Sequence, residues 1–332
     1  MDATDRKLLY LVSAEPRMHY RELAVKLGIS RQAVHRRMQV LMEKGVITGT
    51  SASISVSYLE AIPVAIFGRS MTTSIEETLN RLGECDLTRR AVVAGGNYLY
   101  VVGQLRHNSE LDTYSEFVRK KAEMPEPTVG IYSLDPKLIN CYAVDGIGER
   151  KREDARLAPL DLKIISLLKD DARRPIADIA QEVGASTKTV RRHLEKMMSN
   201  GSMEMHLRQD LPSGGDMLYL LHLSLRDGAD KADVGRRIIA KHPFPEGYVR
   251  AFSNLPSFLI WVFWTDKLTE MRRVLREISE DKDVLAVVPN FGYLERVYST
   301  WRDNLPEAWM RPVDMARMHI LRSKLNHSVP SE

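Results

Sequence analysis

Cysteine is nearly missing from this chain: there are two, Cys85 and Cys141, in 332 residues, and neither sits in a CxxC or similar metal-ligand spacing. That excludes a disulfide framework and a zinc ribbon, and both thiols are expected to be reduced. Long apolar runs are missing too. The longest, Phe258 to Trp264, has the length of a strand, far short of the roughly 20 residues a membrane helix needs. Met1 to Lys7 is charged and no apolar segment behind it reads as a secretory leader, so a cytoplasmic location and no membrane partner are expected. There is no GxSxG elbow, P-loop, GxGxxG or HExxH, which removes the commonest signatures of hydrolases, nucleotide binders and zinc proteases. The nine histidines, among them His19, His107, His222, His242 and His319, are scattered without ligand spacing. No catalytic residue, cofactor or metal site is therefore expected. A strong charge of either sign is also lacking. The net charge is +4, which permits nucleic-acid binding without demanding it.

The chain does have an ordinary globular balance, with 44% hydrophobic and 28% charged residues, and its length suggests two or more domains. It also has an internal repeat. Asp5 to Gly45 aligns with Asp161 to Gly201 at a constant offset of 156 and without a gap. Asp5, Leu11, Arg17, Gly28, Ser30 and Arg36 reappear as Asp161, Leu167, Arg173, Gly184, Ser186 and Arg192. A repeat found before any element is assigned fixes the organisation of the whole chain.

Each copy divides into three helical pieces. In the first, Leu8, Leu9, Leu11 and Val12 make an apolar stripe on a helix that starts near Asp5. Tyr20 to Leu27 is a short second helix ended by Gly28, a residue suited to the left-handed conformation. Ser30 caps a third helix, Arg31 to Lys44, with Val34, Met38, Leu41 and Met42 as its buried stripe. The alternating stretch after Gly45 suits a small β wing, whose Thr48, Thr50 and Ser51 face DNA backbone or water. The second copy places helices at about Asp161 to Lys169, Ile176 to Val183 and Thr187 to Asn200, and His206 and Arg208 on its wing.

A βαββαβ order follows each copy. In the first half it runs through Ala61 to Gly68, Ser74 to Leu82, Arg89 to Ala94, Tyr98 to Gln104, Glu110 to Ala122 and Thr128 to Leu134. In the second it runs through Leu218 to Leu225, Ala232 to Lys241, Tyr248 to Phe252, Phe258 to Trp264, Leu268 to Ser279 and Val284 to Pro289. The charged run Gly148 to Arg156 reads as an exposed linker. The tail from Trp301 holds a further helix candidate at Val313 to Leu325, with enough apolar residues to pack or dimerise.

In a helix-turn-helix unit the motif's second helix enters the major groove by its N-terminal end. The positions that would face the groove are Ser30, Arg31, Gln32, His35, Arg36 and Arg37 in the first copy. In the second they are Ser186, Thr187, Lys188, Arg191 and Arg192. Arg and Lys donate to guanine edges, Gln pairs with adenine, and all the basic groups reach phosphates. No acidic residue interrupts either set; acids return only at Glu43 and Glu195. A basic helix face is often merely solvated, but here it falls where the motif requires it, twice.

The phrases RELAVKLGISRQAVHRRMQVLMEKGVITG and LDLKIISLLKDDARRPIADIAQEVGASTKTVRRHLEKM resemble the DNA-binding domain of the leucine-responsive regulatory protein and AsnC family, and AVVAGGNYLYVVGQL is similar to that family's glycine-containing β-turn-β segment. The resemblance implies an α+β fold: two winged helix-turn-helix domains alternating with two ferredoxin-like domains of the family's RAM type. The corresponding boundaries are 1–57 and 158–211 for the readers, 58–147 and 212–300 for the α/β domains, 148–157 for the linker and 301–332 for the tail. It implies sequence-specific binding of double-stranded DNA by a transcription regulator. It also implies an amino-acid or other small-molecule effector near Gly95, Gly96 and Asn97, residues that a tight hairpin alone would also explain. Family members pair their α/β domains face to face, so a homodimer or an intramolecular pseudo-dimer is implied. Siroheme decarboxylases of alternative haem synthesis share this layout and are the rival. They carry a histidine-containing turn before the corresponding strand, and this chain has none in either half.

Overall fold

In the computed structural model, residues 1–133, 156–210, 212–242 and 247–310 are described. Most of the expected charged linker and the helix candidate at Val313 to Leu325 lie outside them. No helix among the described residues is long and apolar enough to cross a membrane.

The first helical unit is α1 (Ala3–Ala14), α2 (Tyr20–Leu27) and α3 (Arg31–Glu43); the second is α6 (Pro159–Leu168), α7 (Ile176–Val183) and α8 (Thr187–Ser199). Gly28 and Gly184 end α2 and α7 at φ of 67° and 68°, a conformation that costs glycine nothing. Ser30 and Ser186 then cap the next helices, accepting from the amides of Ala33 and Thr189. Leu8, Leu23, Val34, Met38 and Leu41 fill the first core, and Leu162, Ile165, Ile179, Val190, Leu194 and Met197 the second. Met42, expected in the buried stripe, is 45% exposed. It lies one residue past Leu41, where the 100° step carries its side chain off the core face.

The strands that follow the units, β1 (Ile47–Ile54) and β6 (Met203–Gln209), do not fold back as separate wings. They pair with each other, antiparallel, in a two-stranded sheet shared by both units. Thr50 lies opposite Leu207 and Ser51 opposite His206. Because Leu207 and His206 are Ser51 and Thr50 shifted by 156, the pairing maps onto itself under a pseudo-two-fold. The helical units obey the same symmetry. Arg17 donates to the carbonyls of Ala172 (2.7 Å) and Arg174 (3.0 Å). Arg173 returns the contact to Pro16 (2.6 Å) and Met18 (3.2 Å). The equivalent arginines of the repeat thus clasp each other's turn, and carbonyls exposed at helix ends gain charge-assisted partners.

The first α/β half contributes β2 (Ile62–Arg69), α4 (Ile75–Leu82), β3 (Thr88–Ala94), β4 (Tyr98–Leu105), α5 (Leu111–Lys121) and β5 (Thr128–Ile131). The second contributes β7 (Met217–Leu225), α9 (Lys231–Lys241), β8 (Gly247–Ala251), β9 (Phe258–Thr265), α10 (Leu268–Ser279) and β10 (Val284–Val297). One antiparallel sheet runs β5-β2-β4-β3-β10-β7-β9-β8. Its ends meet. Tyr132 bridges Phe252, the Ser133 amide reaches the Ala251 carbonyl at 2.8 Å, and the Ser253 amide reaches that of Ile131 at 2.8 Å. The halves therefore pair within one chain at both seams.

Strand alternation divides the core into three layers. Ile66, Val93, Val101 and Leu79 pack under the helices of the first half. Leu221, Leu259, Trp261 and Ile238 do so in the second. The opposite faces, with Phe67, Tyr100, Leu220, Phe252, Ile260 and Val262, meet inside. There the Tyr100 hydroxyl and His222 Nε2, one from each half, are 2.6 Å apart. β10 runs to Val297, well beyond Pro289, where its strand was expected to stop. Pro289 faces Leu221 of β7 in a stretch that β3 does not pair, the edge position where proline is tolerated.

A last helix, α11 (Trp301–Trp309), wedges between the barrel and the second helical unit. The apolar residues of this part of the tail predict packing but no helix here. The Trp301 indole donates to the Gln104 carbonyl at 2.7 Å, while Leu305 and Trp309 pack on the second core. Arg302, 1% exposed, donates to the Ile54 carbonyl at 3.0 Å and to Glu204. His206 lies 3.3 Å from the same carboxylate.

Arg302→Leu leaves Glu204 buried without its main counter-ion and should cost about 3–5 kcal/mol in denaturant titrations; a loss under 1 kcal/mol would mean the pair is not closed in solution. Stability should also fall with pH in two windows. Burial drives the His222 pKa down from 6.5 to about 4, so the unfolded chain takes up the proton first and stability drops from about pH 6.5 to 4. Burial alone would raise Glu204, but Arg302 and then His206 outweigh it and hold it at about 2 against an ordinary 4.5. Its contribution, complete above pH 4.5, is lost as pH falls toward 2. Thermal melts of His222→Phe and Glu204→Gln should each flatten the matching window.

Candidate nucleic-acid interface

The groove-facing side chains expected from the sequence fall on two faces of matching construction. On α3, Arg31, Gln32, His35 and Arg36 are exposed, while Val34 and Met38 point inward; on α8, Thr187, Lys188, Arg191 and Arg192 are exposed, while Val190 and Leu194 point inward. Arg31, Gln32, Arg36, Lys188, Arg191 and Arg192 make no side-chain hydrogen bond or ion pair among the described residues. His35 packs edge-on against Tyr20 of α2, ring centroids 5.6 Å apart. Neither helix has an acid in its first turn. The positive end of each helix dipole and its unpaired amides thus add to the side-chain charge, an arrangement that favours phosphate. Ser30 and Ser186 are exposed at those ends, but their hydroxyls are engaged in capping.

Arg37 differs from its neighbours. Its guanidinium pairs with Asp2 at 2.7 Å and Asp5 at 2.6 Å, and these hydrogen bonds raise its pKa further. In the second copy the same position is His193, whose Nδ1 lies 2.6 Å from Asp161, the equivalent of Asp5. Asp5 and Asp161 also accept from the amides of Asp2 and Ala158 at the starts of α1 and α6. Position 37 and its repeat at 193 therefore tie the third helix to the first. The repeat carried this signal: an acid at 5 and 161 and a base at 37 and 193.

Two of the wing residues, Thr50 and His206, end elsewhere than expected. Thr50 is buried and donates to Asp171 at 3.0 Å, and His206 is buried beside Glu204. Arg208 donates to the Asp170 carbonyl at 2.8 Å. Of this group Thr48 alone is exposed without such a contact. The turn Gly95–Asn97 is a tight 3-10 connection between β3 and β4, with Gly96 and Asn97 at φ of 68° and 57°. Asn97 donates to the Thr72 carbonyl, and the Phe291 ring of β10 sits 3.0 Å from where a Cβ on Gly95 would be.

The Winged helix-turn-helix DNA-binding family matches residues 1–48 and 157–201, the two helical units. The HTH-type transcriptional regulator Ptr1 of Methanocaldococcus jannaschii is 42% identical over 87 residues, 26% of this chain and 59% of that protein, so the match spans less than two thirds of Ptr1. The HTH-type transcriptional regulator LrpA of Pyrococcus horikoshii is 31% identical over 30% of this chain and 71% of its own length. Among solved structures, the siroheme decarboxylase NirDL superposes with a TM-score of 0.56 at 14% identity, over 95% of this chain and 100% of that one. That likeness is one of fold, with the same tandem order of helical and α/β parts. The doubled helix-turn-helix match and the LrpA match at 31% identity over 71% of its length place the chain, in duplicated form, in the Lrp/AsnC family.

Proposed function

We propose that this protein is a sequence-specific DNA-binding transcription regulator and not an enzyme, with α3 and α8 as its readers. The observation that carries the proposal is the pair of exposed basic faces, Arg31-Gln32-Arg36 and Lys188-Arg191-Arg192, whose side chains make no hydrogen bond or ion pair among the described residues, on two units related by a pseudo-two-fold. Two readers related in this way suit two half-sites on one face of the duplex. Because their side chains differ, the preferred operator is asymmetric. A single chain supplies both readers, as two subunits do elsewhere. The fold shared with a decarboxylase does not account for these side chains. We assign the Gly95–Asn97 turn to the hairpin, since Phe291 closes over Gly95.

Mobility shift on the protein's own upstream DNA, with random competitor and varied salt, tests this. Arg36→Ala and Arg192→Ala should each weaken specific binding by about 1–3 kcal/mol if they reach base edges. If they reach phosphate alone, the loss should be the same on every sequence and the salt slope should fall by about one. Absence of any retention at low salt would sink the proposal. Arg37→Ala is the contrast. It should lower the melting temperature by loosening α3 from α1 while leaving the ranking of operator sequences unchanged, and a changed ranking would place Arg37 in the groove.

A further inference from the structure

A cavity of about 430 Å³ lies at the centre of the pseudo-two-fold arrangement, between the shared strands β1 and β6, the end of α6, the barrel mouth and the start of α11. It is separate from both recognition helices and from the Gly95–Asn97 turn. Its wall draws on Ser51 and Arg208 from the strands, Lys169 at the end of α6, Arg89 and Arg90 from β3, and Trp264 from β9.

The charges of that wall do not cancel. Four strong bases, Arg89, Arg90, Lys169 and Arg208, face three acids, Asp170, Glu295 and Asp303. Two of the acids are already engaged. Glu295 pairs with Arg90 at 3.0 Å, and Asp303 accepts from the Thr300 amide at 2.6 Å to close the capping box of α11. Lys169 and Arg208, by contrast, donate to neutral oxygens: the Asn304 side-chain carbonyl at 3.2 Å and the Asp170 backbone carbonyl at 2.8 Å. Their positive charge is uncompensated by these contacts; Arg208 and the third acid, Asp170, are solvent-exposed and Lys169 is half-buried. On the barrel side of the wall Trp264, Tyr248, Leu218 and Val297 form an apolar and aromatic patch beside Arg89, Arg90 and Glu295. The volume is that of a small-molecule site, and an apolar wall with a few convergent polar groups is the usual make-up of one.

We propose that this cavity binds a small polycarboxylate with a flat apolar body. The body lies against Trp264 and Tyr248, and the acid groups meet Lys169 and Arg208 under the shared strands. Such a ligand would touch the strands that join the two helical units and the barrel beneath them. It would therefore act on how the readers are held, a consequence that rests on the regulator reading; the binding itself does not.

The test is calorimetric titration of the full chain with benzene-1,3,5-tricarboxylate at low salt, with no DNA present. One-to-one binding that Lys169→Gln and Arg208→Gln each weaken about tenfold, in variants whose melting curves stay cooperative, supports the site. No heat at millimolar ligand, together with an unmoved Trp264 indole resonance, overturns it. So does binding that both variants retain, which would mean the ligand sits elsewhere. A mobility shift with and without the tricarboxylate is run separately. Ligand binding without DNA retention would keep the cavity and remove the regulator, whereas DNA retention without ligand binding would do the reverse.

Discussion

A four-stranded antiparallel sheet with both its helices on one side has a bare second face. In each half of this chain that face carries large apolar side chains: Phe67, Tyr100 and Val102 in one, Leu220, Ile260 and Val262 in the other. Left in water, such a surface would cost roughly 25 cal/mol for each Å². Neither half can therefore be stable alone in this form, and the rest of the molecule depends on their meeting. The meeting also completes the hydrogen bonding of the strand edges. β3 gains β10 on one side, and β5 reaches β8 on the other, so edges that would otherwise invite foreign strands are largely paired.

Once the two sheets close, the helical units lose most of their freedom. Each is joined to its sheet through β1 or β6, and those strands pair over their full length. The reciprocal clasp of Arg17 and Arg173 then fixes the turns between the first and second helices of each unit. The β1–β6 pairing and the arginine clasp obey the same two-fold, so the two helical units form one symmetric construction.

Much of this was legible in the sequence, for identifiable reasons. Helix boundaries were clear where a cap and a glycine bracket an apolar stripe, as with Ser30, Gly28 and the run Val34, Met38 and Leu41. The βαββαβ order was clear because strand and helix periods alternate cleanly between turn residues. What pairs with what was not legible. The stretch after Gly45 alternates like any wing, and nothing in its pattern says that its partner is 156 residues away. For that reason Thr50 and His206 were assigned to the surface although both are buried. Arg37 sits among basic residues that face outward, and its difference lies in acids about thirty residues earlier. Arg302, a charged residue inside an apolar tail, is buried only because Glu204 and a strand-end carbonyl meet it there.

Duplication within one chain also removes a constraint that a symmetric dimer obeys. In a dimer of identical subunits, a substitution appears on both sides of the axis at once. Here the copies are free to differ, and they differ where it matters. The β1–β6 pairing and the Arg17/Arg173 clasp keep the symmetry. The helices α3 and α8 depart from it, with Gln32 and His35 against Lys188 and Arg191. The region around α11 departs further, because that helix packs on α6 and the shared strand β1 and puts Asp303 and the bonded Lys169 on one side of the central cavity. A ligand on the axis of a true dimer would meet two identical walls. In this chain the axis passes through a cavity with unlike walls, so a molecule without two-fold symmetry can be held there in a single orientation.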